Sequence, residues 1–242
     1  MLASEIIKTA KSKGADLVGF AHVSKFPDGK DNKLNPQYYL PDAKFVITLG
    51  LKIVDALWDK LTGEYDVHST NALSYLGNYN YNLLDFIAVQ IARFIEELGY
   101  DAYPIQARTM SKAQNVFIGY FPFKEAARLS GLGTYGKNDM IITPEFGPRV
   151  RLVTVITDLE IEGEEAIRPA VEKSVEEVCG SCTLCIDTCP VKALSYENGI
   201  RKIDKRKCQG YMDVAQNCIL CQGICIHGKE AAMRRRQRKH PS

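Results

Sequence analysis

No stretch of the chain approaches the roughly 18 uninterrupted apolar residues that a membrane-spanning helix requires, although hydrophobic residues fill 45% of its 242 positions. A helical span is therefore not expected, and there is enough apolar material for a real core. The first twenty residues also lack the apolar run of an export signal, and Lys8, Lys11 and Lys13 interrupt them. The expected location is the cytoplasm. Net charge is nearly absent at +2, and RRRQRK at 234–239 carries five of the positive charges. The body that remains is slightly acidic, which argues against a nucleic-acid surface spread over the fold. The basic tail is read as a solvated, disordered end, with contact to RNA or an acidic redox partner as the functional alternative.

A second absence concerns Gly131-x-Gly133-x-x-Gly136, which has the spacing of a dinucleotide fingerprint. That fingerprint needs a strand before the glycines and a helix after them. Here the helical FKEAARLS comes first, and the β-branched stretch that follows is broken by Pro144 and Pro148. The order is reversed, so the glycines are not read as a nicotinamide or flavin site.

Local pattern gives the elements around it. Ile6, Ile7 and Ala10 define a helix over 3–13, and DLVGFAHV and KFVITLGL read as buried strands with a loop between them. Leucines and isoleucines recur at three and four from about Thr70 to Leu98, a long helix whose poor middle, GNYNYN, allows a start as late as Asn80. A strand AYPIQA, a short helix at 123–130 and a strand RLVTVIT follow. An acidic stretch then marks a boundary.

Eight cysteines stand beyond it. Cys179-x2-Cys182-x2-Cys185-x3-Cys189-Pro190 is the run that wraps an iron–sulfur cube, its fourth cysteine reaching a second cube in two-cluster ferredoxins. The spacing assigns cluster one to Cys179, Cys182, Cys185 and Cys225, and cluster two to Cys208, Cys218, Cys221 and Cys189. Four-sulfur zinc sites use paired knuckles instead of a triple run plus one. Two [4Fe–4S] clusters are expected, a wire for single electrons.

KEAARLSGLGTYGKNDMIITPEFGPRVRL, the strand ending in TDLE and then CGSCTLCIDTCP together resemble a superfamily containing the corrinoid-dependent reductive dehalogenases and epoxyqueuosine reductase. The likeness extends over YLPDAKFVITLGL, FIEELGYDA and the detached Cys208; ITPEFGPR looks more like the dehalogenase branch. The resemblance implies an α/β (α+β) fold. A nitroreductase-like cofactor and substrate domain would occupy 1–160, and an acidic linker or covering arm 161–178. A bacterial ferredoxin-like two-cluster domain would occupy 179–228, and the basic tail 229–242.

It also implies base-off cobalamin beside the nearer cluster, with flavin the lesser alternative. Gly131, Leu132, Gly133, Thr134, Tyr135, Gly136, Lys137 and Asn138 would lie along the corrinoid, with Thr143, Gly147 and Arg149 as a second wall. Backbone N–H groups would approach the ring where side chains are missing. Asp66-Val67-His68-Ser69-Thr70-Asn71 only half-matches a cobalt-ligating motif, and His68 is read as a loop residue. Residues 102–124 hold no Asp or Glu, so the acid that epoxyqueuosine reductases carry there is missing, and Asn82 stands where their histidine would be. Dehalogenases use a tyrosine assisted by a cation; Tyr81, with Tyr79 second, and Arg108 or Lys112 fit that pattern.

The implied activity is a reductase passing low-potential electrons through two clusters to a corrinoid and a small organic substrate. Its partner would be a donor of ferredoxin or flavodoxin type. Two alternatives are an electron-transfer or assembly protein without substrate chemistry, and an epoxyqueuosine reductase-like enzyme of tRNA.

Overall fold

The computed structural model describes residues 2–29, 32–59, 67–107, 121–162, 169, 173–214 and 218–239, with backbone alone at 67–76, 214 and 239. Its elements run α1 (Leu2–Ser12), β1 (Leu17–His22), β2 (Phe45–Lys52), α2 (Asp55–Asp59), α3 (Val67–Glu97), β3 (Ala102–Ile105) and α4 (Phe123–Leu129). Then come β4 (Thr134–Tyr135), β5 (Ile141–Ile142), β6 (Val150–Thr157), α5 (Val175–Cys179) and α6 (Leu184–Asp187). The last are β7 (Leu194–Glu197), β8 (Ile200–Ile203), α7 (Lys205–Val214), α8 (Leu220–Gly223) and α9 (Ile226–Lys239). No described helix is long and apolar enough to cross a membrane.

The chain forms two units that are not consecutive in sequence. The first comprises Met1–Leu51, Tyr79–Leu132 and Arg151–Val171; the second comprises Lys52–Asn78, Gly133–Val150 and Glu172–Ser242.

The first unit is a mixed α/β layer. Its sheet has the order β1-β2-β6-β3, with β1 antiparallel to β2 (Leu17↔Gly50) and β3 antiparallel to β6 (Ala102↔Thr157). Strand alternation sends Val18, Phe20, Ile47, Leu49, Val153 and Val155 to one face, where they meet the buried stripes Ala3, Ile6, Ala10 of α1 and Leu84, Ile87, Ile91, Ile95 of α3. The other face sends Ala21, Val46 and Ile156 against Ala126 and Leu129 of α4 and the Phe26–Phe121 pair. Each fully buried Leu or Ile contributes about 1.5–3 kcal/mol of apolar burial. That reward anchors the later half of α3, which runs unbroken through the poor formers GNYNYN and begins at Val67. His68 is thus in the first helical turn and not in a loop.

The second unit is built from short pieces. The hairpin β4–β5 pairs Thr134 with Ile142, and β7–β8 pairs Leu194 with Ile203. The latter turns at Asn198 (φ 52°) and Gly199 (φ 78°), both left-handed as a two-residue type I′ turn requires. Instead of a disordered end, the basic segment forms α9, with Ala231 and Ala232 buried. Arg235 binds both oxygens of Asp55, at 2.9 and 2.7 Å, and Arg236 pairs with Asp59. The fold is a mixed α/β architecture, as expected.

Candidate metal centres and the glycine loop

Four short elements deliver the cysteines. A reciprocal capping box between Ser174 and Glu177 starts α5, which ends on Cys179 at Gly180 (φ 49°). One-turn helices α6 and α8 present Cys185 and Cys221 within the same local pattern, Cys-x-Leu-Cys-x3-Cys, read at 182–189 and again at 218–225. Cys208 lies in the first turn of α7, whose leading N–H groups of Arg206 and Lys207 are capped by the Asp204 carboxylate.

The electrostatics separate the cysteines into two groups. Burial, followed by the neighbouring Cys225, Cys179 and Cys182, pushes the Cys185 thiol up to about 12. Burial and the same neighbours, Cys179 and Cys182, push Cys225 up to about 11. Cys221 is raised by burial, then by Cys218, Cys185, Cys208 and Cys189. The first neighbourhood is the set 179, 182, 185 and 225; the second gathers 208, 218, 221 and 189 and adds Cys185, which lies between them. Thiols held neutral by burial, and then by one another, ionise together when metal cations bind among them. Among the described residues no group of three or more His, Cys, Asp and Glu side chains closes around a single metal ion. The donor set, all sulfur, with Cys185 buried and the others half-buried, fits a multi-iron cluster in each group.

One cavity of this unit is lined by all four cysteines of the first group together with Lys137, Asn138, Ile142, Leu184, Ile226 and His227. His227 Nε2 lies 2.9 Å from the Val178 carbonyl, facing the segment that carries Cys179.

The glycine loop is used differently from the expectation. A Cβ at Gly133 would stand 2.5 Å from the Ile142 carbonyl oxygen, and one at Gly136 2.9 Å from the Ile142 side chain. These glycines let the β4–β5 hairpin close on itself. Their bare edges meet protein, not open space. The side chains between them are also spent inside the unit. Thr134 Oγ1 donates to the Lys173 carbonyl (2.9 Å), Lys137 Nζ to the Gly180 carbonyl (2.7 Å) and Asn138 Nδ2 to the Cys221 carbonyl (3.1 Å). The Tyr135 ring is covered by the Arg201 guanidinium at 3.6 Å, and Arg201 Nε also binds Asp139. In this structure the loop's polar side chains bond to the backbone of neighbouring segments. They brace the cysteine segments.

The expected second wall is likewise internal. Thr143 pairs with Gly147, and Gly147 (φ 58°) approaches the backbone of Gly228 and His227 too closely for any side chain. Arg149 is fully buried, with Nη1 3.2 Å from both Asp55 and Asp59 and its guanidinium 5.9 Å from the Trp58 ring centroid. It ties α2 into the unit through Nη1, while its buried Nε and Nη2 have no hydrogen-bond partner among the described residues.

In the first unit, Leu132 is fully buried and Gly131 takes φ 71°. Tyr81 is half-buried against the α1–α3 core, and Tyr79 is 58% exposed. The cation over the Tyr81 ring is Arg151, at 5.7 Å. Arg108 and Lys112 lie outside the described residues. Sequence reading missed Arg151, which sits at an alternate position of a strand and carries no local signal. It also missed Asp85, one helical turn beyond Tyr81. Burial raises the Asp85 pKa while its carboxylate accepts the Ala107 N–H at 2.6 Å.

No family model matches the chain. It is 30% identical to the epoxyqueuosine reductase of Bacillus cereus over 94% of its own length and 65% of that protein. It is 32% identical to the tetrachloroethene reductive dehalogenase of Dehalobacter restrictus over 57% of its length and 22% of that enzyme. The chain thus spans 51% to 65% of the length of the epoxyqueuosine reductases it matches. Among solved structures it resembles an epoxyqueuosine reductase bound to a modified tRNA stem loop (TM-score 0.66, 20% identity, 94% and 65% covered). It also resembles a catabolic reductive dehalogenase in complex with 3-bromo-4-hydroxybenzoic acid (TM-score 0.67, 20% identity, 92% and 31% covered). The chain is a homologue of the epoxyqueuosine reductases and the reductive dehalogenases, and it shares the fold common to both.

Proposed function

We propose that the chain is an iron–sulfur reductase that passes low-potential electrons, one at a time, through two [4Fe–4S] clusters toward a corrinoid and an organic substrate. The observation that carries this reading is the grouping of eight cysteines into two neighbourhoods of the second unit. Cys179, Cys182, Cys185 and Cys225 would hold one cluster; Cys189, Cys208, Cys218 and Cys221 would hold the other, in a ferredoxin-like arrangement. The first unit would be the nitroreductase-like part, with Tyr81 as proton donor under Arg151. A corrinoid, when bound, supplies a strongly reducing cobalt. Support for it comes from the relatives and not from the glycine loop, whose side chains serve the cysteine segments.

The match to epoxyqueuosine reductases spans nearly the whole chain, whereas the dehalogenase match spans just over half. That favours a second reading with RNA as the substrate's carrier. Arg234, Arg236 and Arg238, exposed on α9, would then contact phosphates.

Anaerobic reconstitution with iron, sulfide and cobalamin tests the proposal. About eight irons and one base-off cobalt per chain are expected. Zinc in place of iron overturns the reading; eight irons without cobalt uptake reduces it to electron transfer. A tRNA stem loop bound with a steep salt slope selects the RNA reading. A bromophenol turned over without RNA binding selects the dehalogenase one.

A further inference from the structure

Lys137 is 5% exposed, so its ammonium group is almost wholly withdrawn from water. Its neighbours are the Gly180 carbonyl at 2.7 Å and the face of Tyr196, whose centroid is 4.9 Å away. Both are neutral. Among the described residues no carboxylate pairs with it. A buried cation without a counter-charge is strongly disfavoured, and a lysine that keeps its charge there does so beside an anion. The anion is legible in the same cavity, which Lys137 lines together with Cys179, Cys182, Cys185 and Cys225. Four thiolates around a [4Fe–4S] core carry net negative charge, and that charge grows by one when the cluster accepts an electron.

Resting on the two-cluster reading above, we propose that Lys137 is the fixed counter-charge of the first cluster and raises its reduction potential. The attraction between ammonium and cluster is stronger in the reduced state, so the lysine favours reduction. The group that the loop sends toward the second cluster's cysteines is the neutral amide of Asn138, on the Cys221 carbonyl. The loop would thus make the two clusters unequal, with the first the easier to reduce, and set the direction in which an electron settles. The competing account is that Lys137 only pins the end of α5 through Gly180. Both predict that removing it disturbs the site, but only the first depends on charge.

The test is an anaerobic redox titration of the full reconstituted chain, followed by the spin signals of the reduced clusters, on the parent, Lys137→Met and Lys137→Arg. With about eight irons retained, Lys137→Met should shift one of the two midpoints downward by about tenfold in the reduction equilibrium, or about 59 mV for one electron. The other midpoint should stay, and Lys137→Arg should restore the parent value. Two unchanged midpoints overturn the proposal. If Lys137→Met loses iron, retention of iron and of both midpoints by Lys137→Arg supports the charge role, and iron loss by both variants overturns it. A parent that takes up no iron sinks the cluster reading itself, an outcome separate from these.

Discussion

The Arg151 guanidinium lies over the face of the Tyr81 ring, 5.7 Å from its centroid, joining β6 to α3 inside the α/β unit. Tyr81→Phe preserves the ring and this contact and removes only the hydroxyl. If Tyr81 is the proton donor, the variant should bind its cofactors as the parent does while substrate reduction slows by roughly 10²–10⁴-fold. Single-turnover kinetics with matched iron content decide it; an unchanged rate removes Tyr81 from the chemistry.

Iron stoichiometry tests the ligand sets. On the proposed assignment, Cys225→Ala and Cys208→Ala should each lose roughly half of the iron, and the double variant nearly all of it. A variant of Cys225 that keeps the full iron content would contradict the pairing of Cys225 with Cys179, Cys182 and Cys185.

Arg149 should matter for stability, not for cofactor contact. Arg149→Met removes the cation that Asp55 and Asp59 share while each keeps a second arginine, and should cost about 2 kcal/mol in urea unfolding. The pH dependence has a defined sign. Burial pushes the Asp55 pKa up, but hydrogen bonds from Arg235 and Lys52 outweigh it and leave the folded value below the ordinary 3.8. Stability from Asp55 is therefore present above that value and is lost as pH falls through the folded one. Asp59 behaves alike: burial raises its pKa, but hydrogen bonds from Arg236 and Arg149 bring it below 3.8, so the part of the gap that Asp59 carries should narrow in acid.

Asp85 has the opposite sign. Burial holds its folded pKa above the ordinary 3.8, so stability is highest while it is protonated and declines as pH rises through the folded value. Asp85→Asn keeps an oxygen for the Ala107 N–H and removes the charge. The variant should lack the parent's decline. Thermal melts across pH 3 to 7 measure it, and parallel curves would refute the assignment.

Much of the α/β unit was legible. The periods at 3–13 and along the later half of α3 correspond to buried stripes, and the two apolar strands pair as β1 and β2. The cysteine spacing proposed two groups of four, and Cys179, Cys182, Cys185 and Cys225 do line one cavity. What was not legible depends on partners far away in the chain. Nothing local in RRRQRK announces a helix held by Asp55, 180 residues earlier. Nothing in GLGTYGKN tells whether its glycines face a ligand or Ile142. One miss was avoidable: Asn198-Gly199 between two short strands is a hairpin signal that needs no tertiary knowledge.

The exchange of cysteines between the two halves of the lobe bears on biogenesis. On the proposed pairing, the early run needs Cys225 to complete its cube, and the late run borrows Cys189. Neither centre can be finished while the nascent polypeptide is still missing its late cysteines. Metallation of both centres would then follow synthesis of the whole lobe.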